Sequence, residues 1–173
     1  MGIVTLITGG ARSGKSAYAL ALAQRMPGAR RFFIATAEAL DDEMRERIAH
    51  HRANRSADFT TIEEPIAIGA ALSELASRAD IIVVDCLTLW ISNLLMANRG
   101  DEDILAEARA LGRATAEAPF ASILVTDEVG AGIVPENAMA RRFRDLLGWT
   151  NQALALAAER VELMVAGYPL RVK

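Results

Sequence analysis

The sequence predicts an α/β fold built on a mostly parallel sheet. Short β-branched runs alternate with longer stretches rich in Ala and Leu. The runs are continuously apolar, as strands covered on both faces are. A glycine-rich turn also joins the first run to the first helical stretch. With 173 residues, 52% of them apolar, one domain spanning 1–173 with a full core is expected.

Taken in order, Ile3 to Thr8 reads as a buried strand stopped by Gly9 and Gly10. Lys15 to Met26 reads as a helix ended by Pro27-Gly28, and Arg31 to Thr36 as a second strand. Asp41 and Asp42 open a charged helical stretch through about Asn54, with acids at the end the helix dipole favours. Thr60 to Ile62 gives a short third strand. Pro65 to Arg78 is helical, with the proline in the first turn. Ile81 to Val84 is the most strand-like run. Helices follow over about Thr88 to Ala97 and Asp101 to Glu117, then a strand over Ser122 to Thr126. A long helix from Ala138 to Glu159, bent near Gly148, leads to a strand over Val161 to Ala166. Gly167-Tyr168-Pro169 then turns the chain into Leu170 to Lys173. That turn is too short for a crossover, so the last strand is expected to be antiparallel.

Composition excludes several classes. A single cysteine, Cys86, allows no internal disulfide and no Cys-rich metal cluster, and it reads as an inert small hydrophobe. Nineteen basic and twenty-two acidic side chains leave a net charge of −3, which disfavours non-specific nucleic-acid binding. No apolar run approaches the length of a membrane span, and Met1 to Thr8 lacks the basic start of a secretory leader. A cytoplasmic setting is expected.

The strongest motif is Gly9-Gly10-Ala11-Arg12-Ser13-Gly14-Lys15-Ser16, which fits G-x-x-x-x-G-K-[ST] in full between a strand and a helix. Its glycines let successive amides curl around phosphate oxygens, and the helix start adds a positive end. Lys15 is expected on the β- and γ-phosphates and the Ser16 hydroxyl on Mg²⁺. Asp85, ending the run Ile81 to Val84, is a second candidate Mg²⁺ group, and Thr88 reads as the cap of the next helix.

His50 and His51 are the only histidines. With Leu40, Met44 and Ile48 as the buried stripe, and about 100° per residue, His51 falls near the stripe and His50 on the flank. Arg45, Arg47, Arg52 and Arg55 surround them. That pattern suits phosphate chemistry on His50, though a solvated basic helix face fits the spacing as well. Glu63 and Glu64 follow the third strand as either ribose contacts or an exposed acidic turn. The loop Asp127 to Asn137, glycine-containing and opened by two acids, reads as a mobile substrate loop at a strand end. Trp90 and Trp149 read as core or interface residues.

Several of these segments, with Ile34-Ala35-Thr36, Asp85-Cys86-Leu87-Thr88-Leu89-Trp90, Glu128-Val129-Gly130 and Arg142-Phe143-Arg144-Asp145, resemble one family from the first strand to the last. It is the bifunctional adenosylcobinamide kinase / adenosylcobinamide-phosphate guanylyltransferase of cobalamin biosynthesis. The resemblance implies a RecA-like P-loop fold, a homotrimer, ATP or GTP as substrates, adenosylcobinamide as acceptor, and no membrane insertion. It implies phosphorylation of the acceptor, then transfer of GMP through a guanylyl-histidine at His50. It also implies nucleotide contacts from Gly9 to Ser16, Ile34, Ala35, Thr36, His51, Arg52, Ala53, Asn54, Glu63 and Asp85. Asp127 and Tyr168 depart from the family pattern. A nucleotide-sensing switch is disfavoured because the chain has no Asn-Lys-x-Asp guanine-reading motif. A DNA-dependent ATPase is disfavoured by the charge, and a stand-alone kinase stays open.

Overall fold

The computed structural model describes residues 2–38, 42, 45, 46 and 56–173. Among the described residues seven strands form one sheet: β1 (Val4–Gly9), β2 (Arg31–Ala35), β3 (Phe59–Glu63), β4 (Ile81–Asp85), β5 (Ala121–Val125), β6 (Arg160–Val165) and β7 (Tyr168–Arg171). Among the described residues five helices have bounds: α1 (Lys15–Arg25), α2 (Ile68–Leu75), α3 (Leu87–Met96), α4 (Asp101–Glu117) and α5 (Ala138–Ala157). The spatial order is β3, β2, β4, β5, β1, β6, β7. All neighbours run parallel except the pair β6 and β7. The mostly parallel sheet with an antiparallel last strand is thus as expected.

Strand side chains alternate between two cores, as a period of two demands. Val4, Leu6, Phe32, Ile34, Ile82, Val84 and Leu124 face one side, under helices α2 to α5. Ile7, Phe33, Ile81, Val83, Ile123 and Val125 face the other, under Ala19 and Ala23 of α1. The helices bury stripes at helical spacing, such as Leu87, Trp90, Ile91, Leu94 and Leu95 on α3. Gly112 of α4 lies so close to α5 that a Cβ there would stand 3.2 Å from Cβ of Ala157.

This division of helices creates the crevice that matters. The connection after β1 leaves toward the α1 face, whereas the connection after β5, its neighbour, leads to α5 on the opposite face. Chains that part at adjacent strand ends leave a gap at the carboxyl edge, where open α/β sheets bind ligands. The register aligns Glu63, Ala35, Asp85, Val125 and Ile7 across that edge. Directly paired residues share a face, so Glu63 and Asp85 lie on the α1 side with Ile7 and Val125.

Some boundaries differ from expectation for visible reasons. The helix expected from Pro65 begins at Ile68, because Glu64 Oε1 accepts hydrogen bonds from the amides of Ile66 and Ala67 and forms a capped turn first. Helix α5 runs unbroken from Ala138 to Ala157, ending two residues early. Trp90 is buried and donates its indole N–H to the Ile66 carbonyl at 2.8 Å, but Trp149 is 50% exposed and is not a core residue. The charged stretch from Asp41 to Asn54 lies mostly outside the described residues; Asp42, Arg45 and Glu46 within it are helical. Among the described residues no helix is long and apolar enough to cross a membrane.

The amino edge of the sheet is fastened by one carboxylate. Asp80 accepts from the amides of Ala29 and Arg30 and from the Arg30 guanidinium at 2.6 Å. The guanidinium, with those amides, holds the Asp80 carboxyl well below the usual carboxylate range. A depressed carboxyl stabilises the fold at any pH above its unfolded value of about 3.9 and loses that contribution as pH falls through the folded value. Urea unfolding of native protein and Asp80→Asn at a series of pH values should therefore show a stability gap that is full at neutral pH and narrows below about pH 4.

Candidate active site

The G-x-x-x-x-G-K-S segment forms a built loop between β1 and α1. Gly9 has φ 152°, and a Cβ there would stand 2.6 Å from the Met164 carbonyl oxygen and 2.9 Å from Ser13 Oγ. Only glycine lets β1 run this close to β6 while the chain turns. Gly14, at φ 94°, closes the loop in the left-handed conformation ahead of α1. The loop is braced from the C-terminal hairpin. Ala166 and Gly167 (φ 51° and 87°) make the tight turn between β6 and β7, and the Gly167 amide donates to the Ser13 carbonyl at 3.0 Å. The backbone thus presents amides at a helix start, the arrangement that grips anions.

Lys15 is the centre of the site. It is only 8% exposed, so its ammonium needs partners. It donates to the Gly10 carbonyl at 2.6 Å, lies 3.4 Å from Ser13 Oγ, and pairs with Asp127 Oδ1 at 2.6 Å. Asp127 is in turn fixed through its backbone. Its amide donates to Thr88 Oγ1 at 2.8 Å, and its carbonyl accepts from Asn151 Nδ2 at 3.1 Å. Asn151 Oδ1 also accepts from the Thr126 hydroxyl at 2.7 Å. Thr88, expected as a helix cap, lies inside α3, whose cap position is Cys86, and its hydroxyl holds the partner of Lys15.

A second cluster organises the end of β2. The Thr36 hydroxyl donates to the Cys86 carbonyl at 2.7 Å and accepts from the Cys86 amide at 2.8 Å. Asn93 Nδ2 donates to the carbonyls of Thr36 and Pro65. These bonds tie the ends of β2 and β4 to α3, beside Asp85. The Cys86 thiol is pushed up to about 12, mainly by burial and then by the Asp85 charge, so it stays protonated and unreactive at neutral pH.

Of the residues expected to bind nucleotide, the structure gathers Gly9 to Ser16, Ala35, Thr36, Glu63 and Asp85 at the carboxyl edge. The Ile34 side chain is fully buried beneath α2 to α5, so at this edge Ile34 offers its backbone, beside Ala35 and Thr36. His50, His51, Arg52, Ala53 and Asn54 lie outside the described residues. For a divalent ion, the Ser16 hydroxyl beside Lys15 and the Asp85 carboxylate are hard oxygen donors. Donors of this kind suit Mg²⁺, which keeps water and phosphate in the rest of its shell. Among the described residues no three His, Cys, Asp or Glu side chains group into a fuller cage.

The residue that sequence reasoning missed is Asp127 as the partner of Lys15. Its only signal was an acid just past a strand end, and nothing local says that this strand lies beside β1. The pair also has a consequence. A triphosphate seeking the ammonium competes with a carboxylate already on it, and like charges then face each other. Asp127→Asn should tighten binding of metal-free GTP by about tenfold, equivalent to about 1.4 kcal/mol. Titration calorimetry at fixed ionic strength checks this, and unchanged affinity would show that Lys15 serves both partners at once.

Residues 5–172 match the family described as cobinamide kinase / cobinamide phosphate guanyltransferase. The bifunctional adenosylcobalamin biosynthesis protein CobP of Pseudomonas aeruginosa is 46% identical over 168 residues, covering 97% of this chain and 96% of that one. The CobU proteins of Salmonella typhimurium and Escherichia coli, of the same description, are 40% and 39% identical, covering 99% of this chain and all of theirs. Among solved structures, one described as an ATPase domain superposes with a TM-score of 0.54 at 15% identity. It covers 93% of this chain and 68% of that one, a likeness of fold alone. A P-loop built on this sheet, in a chain matched from the first strand to the last, leads to one conclusion: the protein belongs to the cobinamide kinase / cobinamide phosphate guanyltransferase family of cobalamin biosynthesis.

Proposed function

We propose that this chain carries out both family reactions at the one crevice, with His50 as the covalent carrier of GMP. The observation that carries the reading is the formed phosphate loop, with the Lys15 ammonium held inside it by Gly10 and Asp127. In the first reaction the hydroxyl oxygen of the aminopropanol arm of adenosylcobinamide attacks the γ-phosphorus of ATP or GTP. The new O–P bond forms, the bond to the β–γ bridging oxygen breaks, the nucleoside diphosphate leaves, and the hydroxyl proton passes to solvent. The loop amides and Lys15 stabilise charge on the phosphoryl oxygens and the leaving group.

In the second reaction a neutral His50 ring nitrogen attacks the α-phosphorus of GTP. A phosphoramidate forms and pyrophosphate leaves, with the imidazole proton going to solvent. A phosphate oxygen of the phosphorylated corrinoid then attacks the same phosphorus, the N–P bond breaks, and the imidazole regains a proton. The product is adenosylcobinamide-GDP. Dividing the transfer lets pyrophosphate depart before the bulky acceptor enters. Ser16 and Asp85 are the residues that would hold Mg²⁺, which would supply further neutralisation of phosphate charge. The reading includes a homotrimeric working unit, for which the exposed apolar side chains of edge strand β7, Tyr168 and Leu170, offer a face.

The reading predicts that GTP labelled in its α-phosphate leaves an acid-labile, base-stable adduct on denatured native protein. His50→Ala abolishes the label and Lys15→Ala reduces it at least a hundredfold. Corrinoid phosphorylation without any label would reduce the protein to a stand-alone kinase. A label that survives His50→Ala would place the carrier elsewhere.

A further inference from the structure

The strap between β5 and α5, residues 126–137, has no regular secondary structure, yet it is anchored throughout. Its start is held by Thr88 and Asn151, and the Glu128 amide donates to the Gly9 carbonyl at 3.0 Å. Glu128 Oε1 accepts from the Gly130 amide. Its far end is tied back by α5. Arg141 Nη1 donates to the carbonyls of Pro135 and Glu136 at 2.8 and 2.6 Å. Arg144 Nη1 reaches those of Gly132 and Ile133 at 3.4 and 3.3 Å, and Asn137 caps the helix through Ala140.

With its carbonyls taken from the helix side, the strap turns apolar side chains outward. Ile133 is 96% exposed and Val134 63%, with Met139 of the first turn of α5 at 55%. An aliphatic side chain gains about 1.5–3 kcal/mol on burial, so an anchored segment that leaves several uncovered marks a binding surface. Other exposed aliphatic side chains are spread over the molecule: Leu156 and Ile3 at the amino edge of the sheet, Met96 at the end of α3, and Val165, Leu170 and Val172 on the C-terminal hairpin and tail.

We propose that Ile133, Val134 and Met139 form the wall against which the corrin ring of the acceptor rests. The inference stands on the cobinamide kinase reading above and adds the place of the second substrate. The attacking oxygen must come within about 3–3.5 Å of a phosphorus held at Lys15. The acceptor is far larger than its reacting arm, so its ring must lie on a surface continuous with the phosphate loop. The strap is that continuation, because its residue Asp127 touches Lys15, and the next, Glu128, is bonded to Gly9. A broad, methyl-bearing macrocycle needs apolar cover on one side and water or polar groups for its amides. An exposed aliphatic wall on a firmly held strap supplies the first.

The test uses the intact protein with cobinamide and Mg-ATP. Ile133→Asp alters a side chain that is almost wholly exposed, so the fold is retained. We expect the KM for cobinamide to rise at least tenfold with little change in kcat, and Ile133→Leu to restore it. A native KM for cobinamide in Ile133→Asp overturns the proposal. A change of oligomeric state on sedimentation also overturns it, whatever the KM, by assigning the strap to contacts between copies. Native protein that neither phosphorylates cobinamide nor takes GMP from GTP would instead defeat the family reading on which the proposal rests.

Discussion

Everything at the carboxyl edge follows from two neighbouring strands whose connections part to opposite faces. β1 sends its chain under α1, and β5 sends its chain over to α5. Neither connection can fill the space between them, because each is drawn away by the apolar face it must cover. What the gap receives is a buried cation from one side and a carboxylate from the other. Without that divergence Lys15 would have no reason to meet Asp127, and the phosphate loop would face closed sheet.

The surrounding hydrogen bonds keep this meeting in register. Thr88 and Asn151 come from helices on the far face, yet both end on the backbone of Asp127. Thr36 and Asn93 do the same service for the ends of β2 and β4. Such buried polar bonds contribute little each to net stability, about 1 kcal/mol, but a missing partner strands the other group at a cost of about 1–3 kcal/mol. They therefore specify where the rim sits more than they hold the fold together. The apolar layers of α2 to α5 and α1 hold the fold.

How much of this could be read beforehand depended on whether the information was contiguous. The eight residues from Gly9 to Ser16 announce the phosphate loop because the loop is made of consecutive residues whose geometry is local. The strands were legible for the same reason, as unbroken apolar runs. Asp127 was not, since its role requires β5 to slot between β4 and β1, and the order of parallel strands leaves no mark on any one of them. Thr88 shows the same limit, because a hydroxyl at a helix start reads as a cap until a distant amide takes it. Glu64 displaced the start of α2 by competing for two amides, which propensity alone does not weigh. Ile34 is a case of parity: its place on β2 sends its side chain to the opposite core, so any part it has at the edge falls to its backbone.

The tight turn at Ala166 and Gly167 gives the last strand a second office. One amide of that turn rests on the carbonyl of Ser13, so the outermost ribbon of the sheet is tied directly to the anion cradle. Peeling the ribbon from β6, whether by mechanical pull, by proteolysis within it, or by a bulky appendage beyond Lys173, removes a prop from beneath the glycines. The periphery of the molecule is in that sense part of its grip on nucleotide.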